Sequence, residues 1–354
     1  MSLVYIKKSL LLLSGLVLSS CSLLDTHQIN ENAGLIKVIS NYEQVKGCRY
    51  IRELVGSEGY WYTFFFLSNP ELTLASIIDL KNYPINRPQS VEYLEMVKTV
   101  KTGLAEDGCA VLSNFLSNDG LDALVSEAEK KKSQAFYAKS KLCNVYLAQG
   151  NADEDDQHPQ NIFLERSNGF ITADLLAEGT YAYTLYYWKP LRDFLAACLS
   201  KKELHIYADP VSNMIINLCK PGQTFNWHFD TNEFTITFLL NAAESGGHFE
   251  YVPSLRAADD ECFNEVKKVL NGDRSRVKRL DLNAGDLQFF LGRFSLHQVT
   301  PNTGTTDRLL LIQSFTEKPG IIGNPQRVKD LYGKVTDAHK DRIDKRVRTD
   351  SLLD

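Results

Sequence analysis

Two residues with metal-binding side chains, His228 and Asp230, are separated by a single residue. They lie in the segment 224–240, whose many aromatic and β-branched residues are typical of a β-strand. Side chains alternate between the two faces of a strand, so this spacing predicts that both point to the same side. An imidazole and a carboxylate on one face supply two of the three ligands of a 2-His-1-carboxylate site, which holds non-haem Fe(II). For an isolated His-X-Asp pattern, the alternative is a surface histidine beside a surface aspartate.

A third ligand has to come from further along the chain, where the histidines are His248, His297 and His339. His297 is favoured because it lies in the largely apolar run 287–301, which follows a turn and is typical of a second strand. The next strand-like run opens with Arg308. Burying an arginine is unfavourable unless it meets an anion, and the planar guanidinium suits a carboxylate bidentately. The sequence therefore predicts a metal site with an anion-binding arginine.

His228, Asp230, His297 and Arg308, in this order, resemble the signature of the Fe(II)/2-oxoglutarate-dependent dioxygenases. The resemblance covers roughly residues 204–320 and begins more loosely near Gln89. The surrounding sequence is similar to that of a narrower subgroup. The similar stretches are F-N-W-H-F-D-T-N-E-F-T-I-T, G-G-H-F-E-Y-V-P and G-D-L-Q-F-F-L-G-R-F-S-L-H-Q-V-T-P. That subgroup includes hydroxylases and halogenases that act on free amino acids, notably lysine.

The resemblance implies that His228, Asp230 and His297 bind Fe(II) and that Arg308 grips the distal carboxylate of 2-oxoglutarate. It implies a dioxygenase that uses O2 to hydroxylate a small-molecule substrate, a free amino acid being the first candidate, with release of succinate and CO2. Halogenases of the subgroup lack the carboxylate ligand, and a small residue there leaves room for chloride. The presence of Asp230 therefore favours a hydroxylase over a halogenase.

Other polar residues are candidates for contact with the cosubstrate or substrate. Regular alternation places Ser314 on the face of Arg308, and Asn217 lies on the strand before the His-X-Asp pattern. The alternatives are a serine bonded to backbone and a satisfied asparagine at a sheet edge. Glu250 is a candidate contact for a cationic substrate, and Arg293 for a substrate carboxylate, with a surface arginine as the alternative.

The periodicity of the chain predicts an α+β fold. Helical patterns come first, and Pro190 should kink or split the pattern over Thr180–Leu199. From Leu204 onward, short strand-like runs are separated by turn residues, which favours a double-stranded β-helix (jelly roll) flanked by helices. An inserted helix is expected over Ala257–Asn271. The charged pattern over Asp330–Arg348 predicts a helix that caps the mouth of the site, supports a homodimer or is a solvated tail.

Three parts are expected along the chain, with the fold carrying a small N-terminal appendage. They are a signal- or lipobox-like segment over 1–21, a lipoprotein-like remnant and linker over 22–88, and an oxygenase domain over 89–354 with its jelly-roll core at about 204–318.

The N-terminal segment has the features of a secretory signal. Lys7 and Lys8 precede a short apolar run that ends in L-S-S-C at Cys21, which resembles a bacterial lipobox. The run is too short for an ordinary transmembrane helix, and a fortuitous apolar helix is the alternative. Residues 45–83 are similar to small bacterial envelope lipoproteins. Membrane attachment is expected only if the lipobox is used.

Charge and chemistry bound the partners and the location. The 354 residues carry a net charge of −5 without a long basic stripe, so nucleic acid is not expected as a partner. The seven cysteines are scattered without a CxxC pattern, which argues against a disulfide framework or zinc site.

2-Oxoglutarate and reduced iron point to the cytoplasm, whereas the N-terminal segment alternatively suggests a lipid-anchored envelope protein. A gene fusion or a start site placed too far upstream would reconcile the two. The competing functions are a non-catalytic jelly-roll binding protein and an envelope lipoprotein with a vestigial oxygenase domain.

Overall fold

The computed structural model describes residues 37–45, 48–55, 61–67, 74–139, 142–340 and 350–353. The signal-like segment predicted over 1–21 lies outside these residues. The chain divides into two compact units, residues 1–73 and 74–354. Within the described ranges, no helix has both the length and the apolar character needed to cross a membrane.

The first unit contains a three-stranded antiparallel sheet. Its strands pair in chain order and are β1 (Lys37–Val45), β2 (Cys48–Val55) and β3 (Trp61–Leu67).

The second unit contains eight described helices and fifteen described strands. The helices are α1 (Leu74–Ile77), α2 (Val91–Asp107), α3 (Asn118–Lys131), α4 (Tyr181–Tyr187), α5 (Lys189–Cys198), α6 (Phe263–Leu270), α7 (Pro325–Tyr332) and α8 (Asp337–Lys340). The strands are β4 (Cys109–Leu112), β5 (Phe136–Tyr137), β6 (Leu142–Cys143), β7 (Leu164–Glu165), β8 (Gly169–Ile171), β9 (His205–Ile206), β10 (Met214–Cys219), β11 (Phe225–His228), β12 (Thr235–Asn241), β13 (Phe249–Val252), β14 (Lys278–Leu280), β15 (Leu287–Phe290), β16 (Leu296–Val299), β17 (Arg308–Gln313) and β18 (Phe315–Thr316).

Two antiparallel sheets form the body of this unit. The large sheet has seven strands in the order β4-β15-β12-β17-β10-β8-β5, and the small sheet has four in the order β11-β16-β13-β14. Except for β13 and β14, neighbours in each sheet are not consecutive in the chain, as in Greek-key connections. The predicted double-stranded β-helix flanked by helices is confirmed.

Alternation along the strands sorts side chains between the two faces of the large sheet. On β17, Leu309 and Leu311 are fully buried in the core that also contains residues of α2 and α5. Leu310 and Ile312 point the other way and line a cavity between the two sheets. Burying one such leucine stabilises the fold by about 1.5–3 kcal/mol, so the helix-covered face provides a rigid floor for the site.

Local signals in the sequence set the helix boundaries. The Ser90 hydroxyl accepts from the backbone N–H of Tyr93 at the start of α2, and Gly108 ends that helix in the left-handed conformation. The predicted split at Pro190 is confirmed: Trp188 is extended between α4 and α5. Pro190 then falls in the first turn of α5, where its missing N–H has no helical partner to lose.

Two predicted helices are shorter than expected. The inserted helix predicted over Ala257–Asn271 is confined to α6. The helix predicted over Asp330–Arg348 is wrong as a single element, because α7 ends at Gly333 with φ 79° and α8 covers only four residues. Glycine adopts this left-handed conformation readily, which allows the chain to turn there. Residues 341–349 lie outside the described part.

The segment that leads into α2 is part of the second unit and of its core. Ile77, Ile78 and Ile85 are buried in its main core, and the backbone N–H of Asp79 donates to the carbonyl of Phe115. The predicted linker extended to Pro88, and its residues from Leu74 onward belong to the second unit, where the three isoleucines join the core.

Candidate metal and cosubstrate site

Two histidines face each other across neighbouring strands of the small sheet. His228 on β11 is the register partner of His297 on β16, and their ring centroids are 4.1 Å apart. The Nδ1 of His228 lies 2.7 Å from the carbonyl oxygen of Asn226, and the Nδ1 of His297 lies 3.0 Å from that of Ser295. Because a carbonyl oxygen can only accept, each Nδ1 carries the proton. When such a ring is neutral, its Nε2 carries the lone pair that a metal ion needs.

The Asp230 side chain reaches the two histidines from the loop that follows β11. The sequence predicts that it continues the strand of His228, but β11 ends at His228 and the backbone N–H of Asp230 donates to the carbonyl of Gly292 at 3.1 Å. Its Oδ2 accepts from the Thr235 hydroxyl at 2.5 Å. Its Oδ1 lies 3.5 Å from the Nε2 of His297. The carboxylate is thus placed by tertiary contacts and not by strand alternation.

Ligand atoms of His228, Asp230 and His297 all lie within 4.8 Å of one another, so one ion could contact all three. Burial and the neighbouring His297 lower the pKa of His228 to about 3, so this imidazole is neutral at neutral pH. Burial acts to raise the pKa of Asp230, but His297 and the Thr235 hydroxyl outweigh it and hold that pKa well below its usual range. One neutral imidazole and one carboxylate are therefore ready to ligate without a change of protonation.

A cavity of about 120 Å³ opens between the two sheets beside these ligands. A single water molecule needs about 10–15 Å³ by this measure, so there is room for a small ligand. The large sheet lines it with Ile215, Asn217, Thr235, Thr237, Gln288, Phe290, Leu310 and Ile312, and the small sheet with Phe225, His228, Phe249, His297 and Val299. Leu331 and Tyr332 at the end of α7 add to the wall.

The two predicted polar contacts for the cosubstrate, Asn217 and Ser314, both line this cavity. The Oδ1 of Asn217 accepts from the Nδ2 of Asn168 at 3.1 Å. The hydroxyl of Ser314 lies 3.4 Å from the Nδ2 of Asn232, while its carbonyl accepts from the Tyr186 hydroxyl at 2.5 Å. Both side chains therefore present polar groups to a bound ligand.

Arg308 opens β17 and is only 3% exposed. It shares a strand face with Leu310, which lines the central cavity, and it lines an adjoining cavity of about 150 Å³. Within the described residues no carboxylate pairs with Arg308. The neighbouring Asp307 pairs instead with Lys132 at 2.5 Å. Burial lowers the pKa of Arg308 to about 10, which still leaves it protonated at neutral pH. A buried guanidinium without an anion fits the carboxylate of an incoming ligand.

Two other predicted contacts do not line the central cavity. Glu250 accepts from Arg274 at 2.6 Å and from Gln298 at 2.8 Å. Arg293 is not on the surface, being 1% exposed, and it forms a bidentate pair with Asp350. Both charges are already neutralised by protein partners.

Arg166 is a buried cation beside the site that sequence reasoning missed. Its guanidinium lies over the ring of Phe225, 5.6 Å from the centroid, and that ring stacks on His228 at 3.7 Å. One of its nitrogens is 3.4 Å from the carbonyl of Leu331, and its Nε has no hydrogen-bond partner. Burial lowers the pKa of Arg166. In the sequence it stands in a short segment without clear periodicity, so no pattern marked it.

Gly292 is also essential to the geometry and was missed. A Cβ built there would lie 2.0 Å from the Oδ2 of Asp230, so only glycine allows the carboxylate to come this close. The one available signal was a glycine between two strand-like runs, which often marks a close approach of another group.

A jelly roll that brings two imidazoles and a carboxylate together, with a buried arginine on the facing sheet that no described carboxylate neutralises, has the fold and donor set of the Fe(II)/2-oxoglutarate oxygenases. The predicted Fe(II), 2-oxoglutarate and O2 fit these residues: the donor set suits Fe(II), Arg308 suits a carboxylate, and three ligands leave positions open.

Comparison with known proteins gives the family. The family model described as Halogenase D (HalD) matches residues 94–321, and the chain belongs to this family. A search of curated proteins gave no match.

Similar solved structures include a Pseudomonas putida prolyl-4-hydroxylase, with 16% identity, a TM-score of 0.42, and coverage of 63% of this chain and 100% of that one. The α-ketoglutarate-dependent epimerase SnoN of nogalamycin biosynthesis has 12% identity, a TM-score of 0.45, and coverage of 63% and 83%. A 2OG-Fe(II) oxygenase family oxidoreductase from Burkholderia pseudomallei has 13% identity, a TM-score of 0.42, and coverage of 63% and 91%.

Replacing Gly292 by alanine should displace the Asp230 carboxylate, because the new methyl group would overlap its Oδ2. We expect the affinity for Fe(II) to fall by about 10–100-fold, as for other changes to groups that orient a metal ligand. Anaerobic Fe(II) titration of wild type and Gly292→Ala measures this, with thermal unfolding of the metal-free proteins as the folding control. Equal Fe(II) affinity in a folded Gly292→Ala protein would contradict the assigned role.

Proposed function

We propose that this protein is an Fe(II)- and 2-oxoglutarate-dependent dioxygenase that hydroxylates a small molecule, specifically a free amino acid. The observation that carries the proposal is the convergence of His228, Asp230 and His297 in one site, with the Nδ1 of each histidine bonded to a backbone carbonyl. When bound, Fe(II) and 2-oxoglutarate supply the oxidation of a C–H bond by O2, with release of succinate and CO2.

The protein residues bind and orient the reactants. His228, Asp230 and His297 hold the metal, and the carbonyl bonds to the two Nδ1 atoms fix both rings. Arg308 holds the distal carboxylate of 2-oxoglutarate, since it is buried and protonated and lacks a carboxylate partner in the described chain. Asn217 and Ser314 supply hydrogen bonds from the cavity wall.

The remaining walls keep water away from the reacting atoms. Phe225 stacks on His228, and Phe290 packs edge-on against His297 with 4.8 Å between centroids. A dry, fixed environment strengthens each electrostatic contact and orients the substrate carbon relative to the metal.

The preference for a free amino acid rests on a second buried cation. Arg166 lies over the ring of Phe225, which also stacks on His228, and its Nε lacks a hydrogen-bond partner. A substrate carboxylate beside Leu331 and Tyr332 would satisfy this charge. Amide and hydroxyl groups that line the cavity, including Asn232 and Thr231, can bond to an amino group.

Halogenation is the second candidate, favoured by the description of the family. It requires a halide on the metal, but the Asp230 carboxylate points at the ligand cluster and is fixed by Thr235 and Gly292. An ionised carboxylate in that position occupies the place a halide would need and repels it by charge. Hydroxylation is therefore the proposed reaction.

Succinate release is the direct test of the activity. The full chain, assayed with Fe(II), 2-oxoglutarate and O2 against a panel of free amino acids with basic ones first, should release succinate with at least one substrate.

Arg308→Lys keeps the charge but loses the bidentate fork, so the KM for 2-oxoglutarate should rise at least about tenfold, consistent with a lost charged hydrogen bond of about 1.5–3 kcal/mol.

Arg279→Lys is a matched control for Arg308→Lys, because Arg279 lines the same adjoining cavity but pairs with Asp281. Its KM for 2-oxoglutarate should stay at the wild-type value. Iron uptake without Fe(II)-dependent succinate from any substrate would instead support a non-catalytic binding protein.

Product analysis in the presence of chloride separates the two reactions. Wild-type protein should give a hydroxylated and unchlorinated product, because Asp230 would occupy the position that chloride takes on the metal. In Asp230→Gly a position opens beside the Thr235 hydroxyl, so hydroxylation should fall and any chlorinated product should appear only here. Asp230→Asn, which keeps the side-chain volume, is the control without that space. A chlorinated product from wild type would overturn the hydroxylase proposal.

Replacing Arg166 tests whether the substrate is bound through a carboxylate. Arg166→Met should raise the KM for the amino acid at least about tenfold, through loss of a charged hydrogen bond. Its affinity for Fe(II) and 2-oxoglutarate should stay unchanged. The decarboxylated amine of the same substrate should react equally with wild type and Arg166→Met. Equal loss for acid and amine would show that Arg166 does not hold a carboxylate.

A further inference from the structure

Two buried arginines hold the loop that carries Asp230, and neither lies in the cavity. Arg256 lies over the ring of Phe229, with its guanidinium carbon 4.0 Å from the centroid. Arg293 donates from Nη1 to the carbonyl of Thr231 at 3.3 Å. The residues immediately before and after Asp230 are therefore each fixed by an arginine.

The backbone next to Arg293 also contacts Asp230 directly. The Gly292 carbonyl accepts from the backbone N–H of Asp230 at 3.1 Å, and the Arg293 carbonyl accepts from the Nε of Arg256 at 2.6 Å. Any rotation of the Gly292–Arg293 backbone would therefore move the groups that position the Asp230 carboxylate.

A distant segment, residues 350–353, neutralises Arg293. Asp350 accepts from Arg293 Nε at 2.8 Å and from its Nη2 at 2.5 Å, in a bidentate pair. The same segment is attached to its surroundings through Ser351, whose N–H donates to the Ala258 carbonyl, and through Leu353, whose N–H donates to Glu261. Glu261 is in turn 2.8 Å from the Nη1 of Arg256.

We propose that Asp350 is a positioning residue that fixes the metal ligand Asp230 through Arg293. The inference rests on the proposed function, because it assigns a role toward a metal held by Asp230. Asp350 itself does not touch the metal or the substrate.

The physical reason is the charge of Arg293, which is 1% exposed. A desolvated guanidinium needs an anion, and Asp350 supplies it. Without Asp350, Arg293 would turn toward water or toward the Asp230 carboxylate. Either movement breaks the contact with Thr231 and shifts the Gly292 carbonyl.

Co(II) binding to the full-length protein tests the proposal, because its ligand-field spectrum reports ligand geometry independently of turnover. Asp350→Asn should weaken Co(II) binding by about 10–100-fold and change the spectrum. Asp350→Glu keeps the negative charge and should restore most of the affinity. Glu250→Gln is the matched control, since Glu250 is a similarly buried carboxylate paired with Arg274. It should bind Co(II) like wild type.

Thermal unfolding of the metal-free proteins separates positioning from simple stabilisation. A lowered unfolding temperature for Asp350→Asn, with wild-type Co(II) affinity and spectrum, would overturn the proposal. If Asp350→Asn does not fold, Arg293→Lys carries the test, because lysine keeps the ion pair but cannot also reach the Thr231 carbonyl. Unchanged Co(II) binding by Arg293→Lys would overturn it equally. Failure of wild type to bind Co(II) would instead overturn the proposed function itself.

Discussion

The cross-strand pair of His228 and His297 is the constraint on which the site depends. The two residues are register partners in the small sheet, so a shift of one residue along either strand would turn one imidazole to the opposite face. Register is fixed in turn by burial on both sides of that sheet. Trp227 and Leu296 pack outward into a second core with residues of α6, while the histidines face the large sheet.

The buried arginines of this protein differ in whether a carboxylate neutralises them. Arg293 and Arg256 are deeply buried but each has a carboxylate partner, which identifies them as supports. Arg308 is equally buried, and the described chain offers it no carboxylate. Because desolvating a charge is unfavourable, an unpaired buried guanidinium is stable mainly where a ligand completes it. The same reasoning separates Arg166 from the supporting pair.

The carboxylate ligand connects the family to the proposed reaction. The description of the Halogenase D family suggests halogenation, whereas the Asp230 carboxylate suggests hydroxylation. The contacts of that aspartate bear on the choice. Thr235 and the Gly292 carbonyl hold Asp230 so that one oxygen faces His297. These contacts are the basis of the proposal that Asp230 is a metal ligand and that the reaction is a hydroxylation.

The sequence by itself determined the ligand types, the alternation along β17 that brings Leu310 and Ile312 to the cavity, and the boundaries of several helices. His228 and His297, the N-cap at Ser90 and the break near Pro190 could all be predicted, because each depends on spacing or on backbone chemistry within a few residues. The sequence also placed Asp230 beside His228 by strand alternation, whereas β11 ends at His228 and tertiary contacts bring Asp230 to the two histidines.

Only the tertiary structure decided how the site is completed. The approach of Gly292 to Asp230, the pairing of Arg293 with Asp350 and the partner of Asn217 join residues that are about 50–60 positions apart. The periodicity of one segment carries no information about which distant segment packs against it, since that depends on how the two sheets close. For the same reason, the sequence could identify Arg293 as a cation but not as one that is already neutralised.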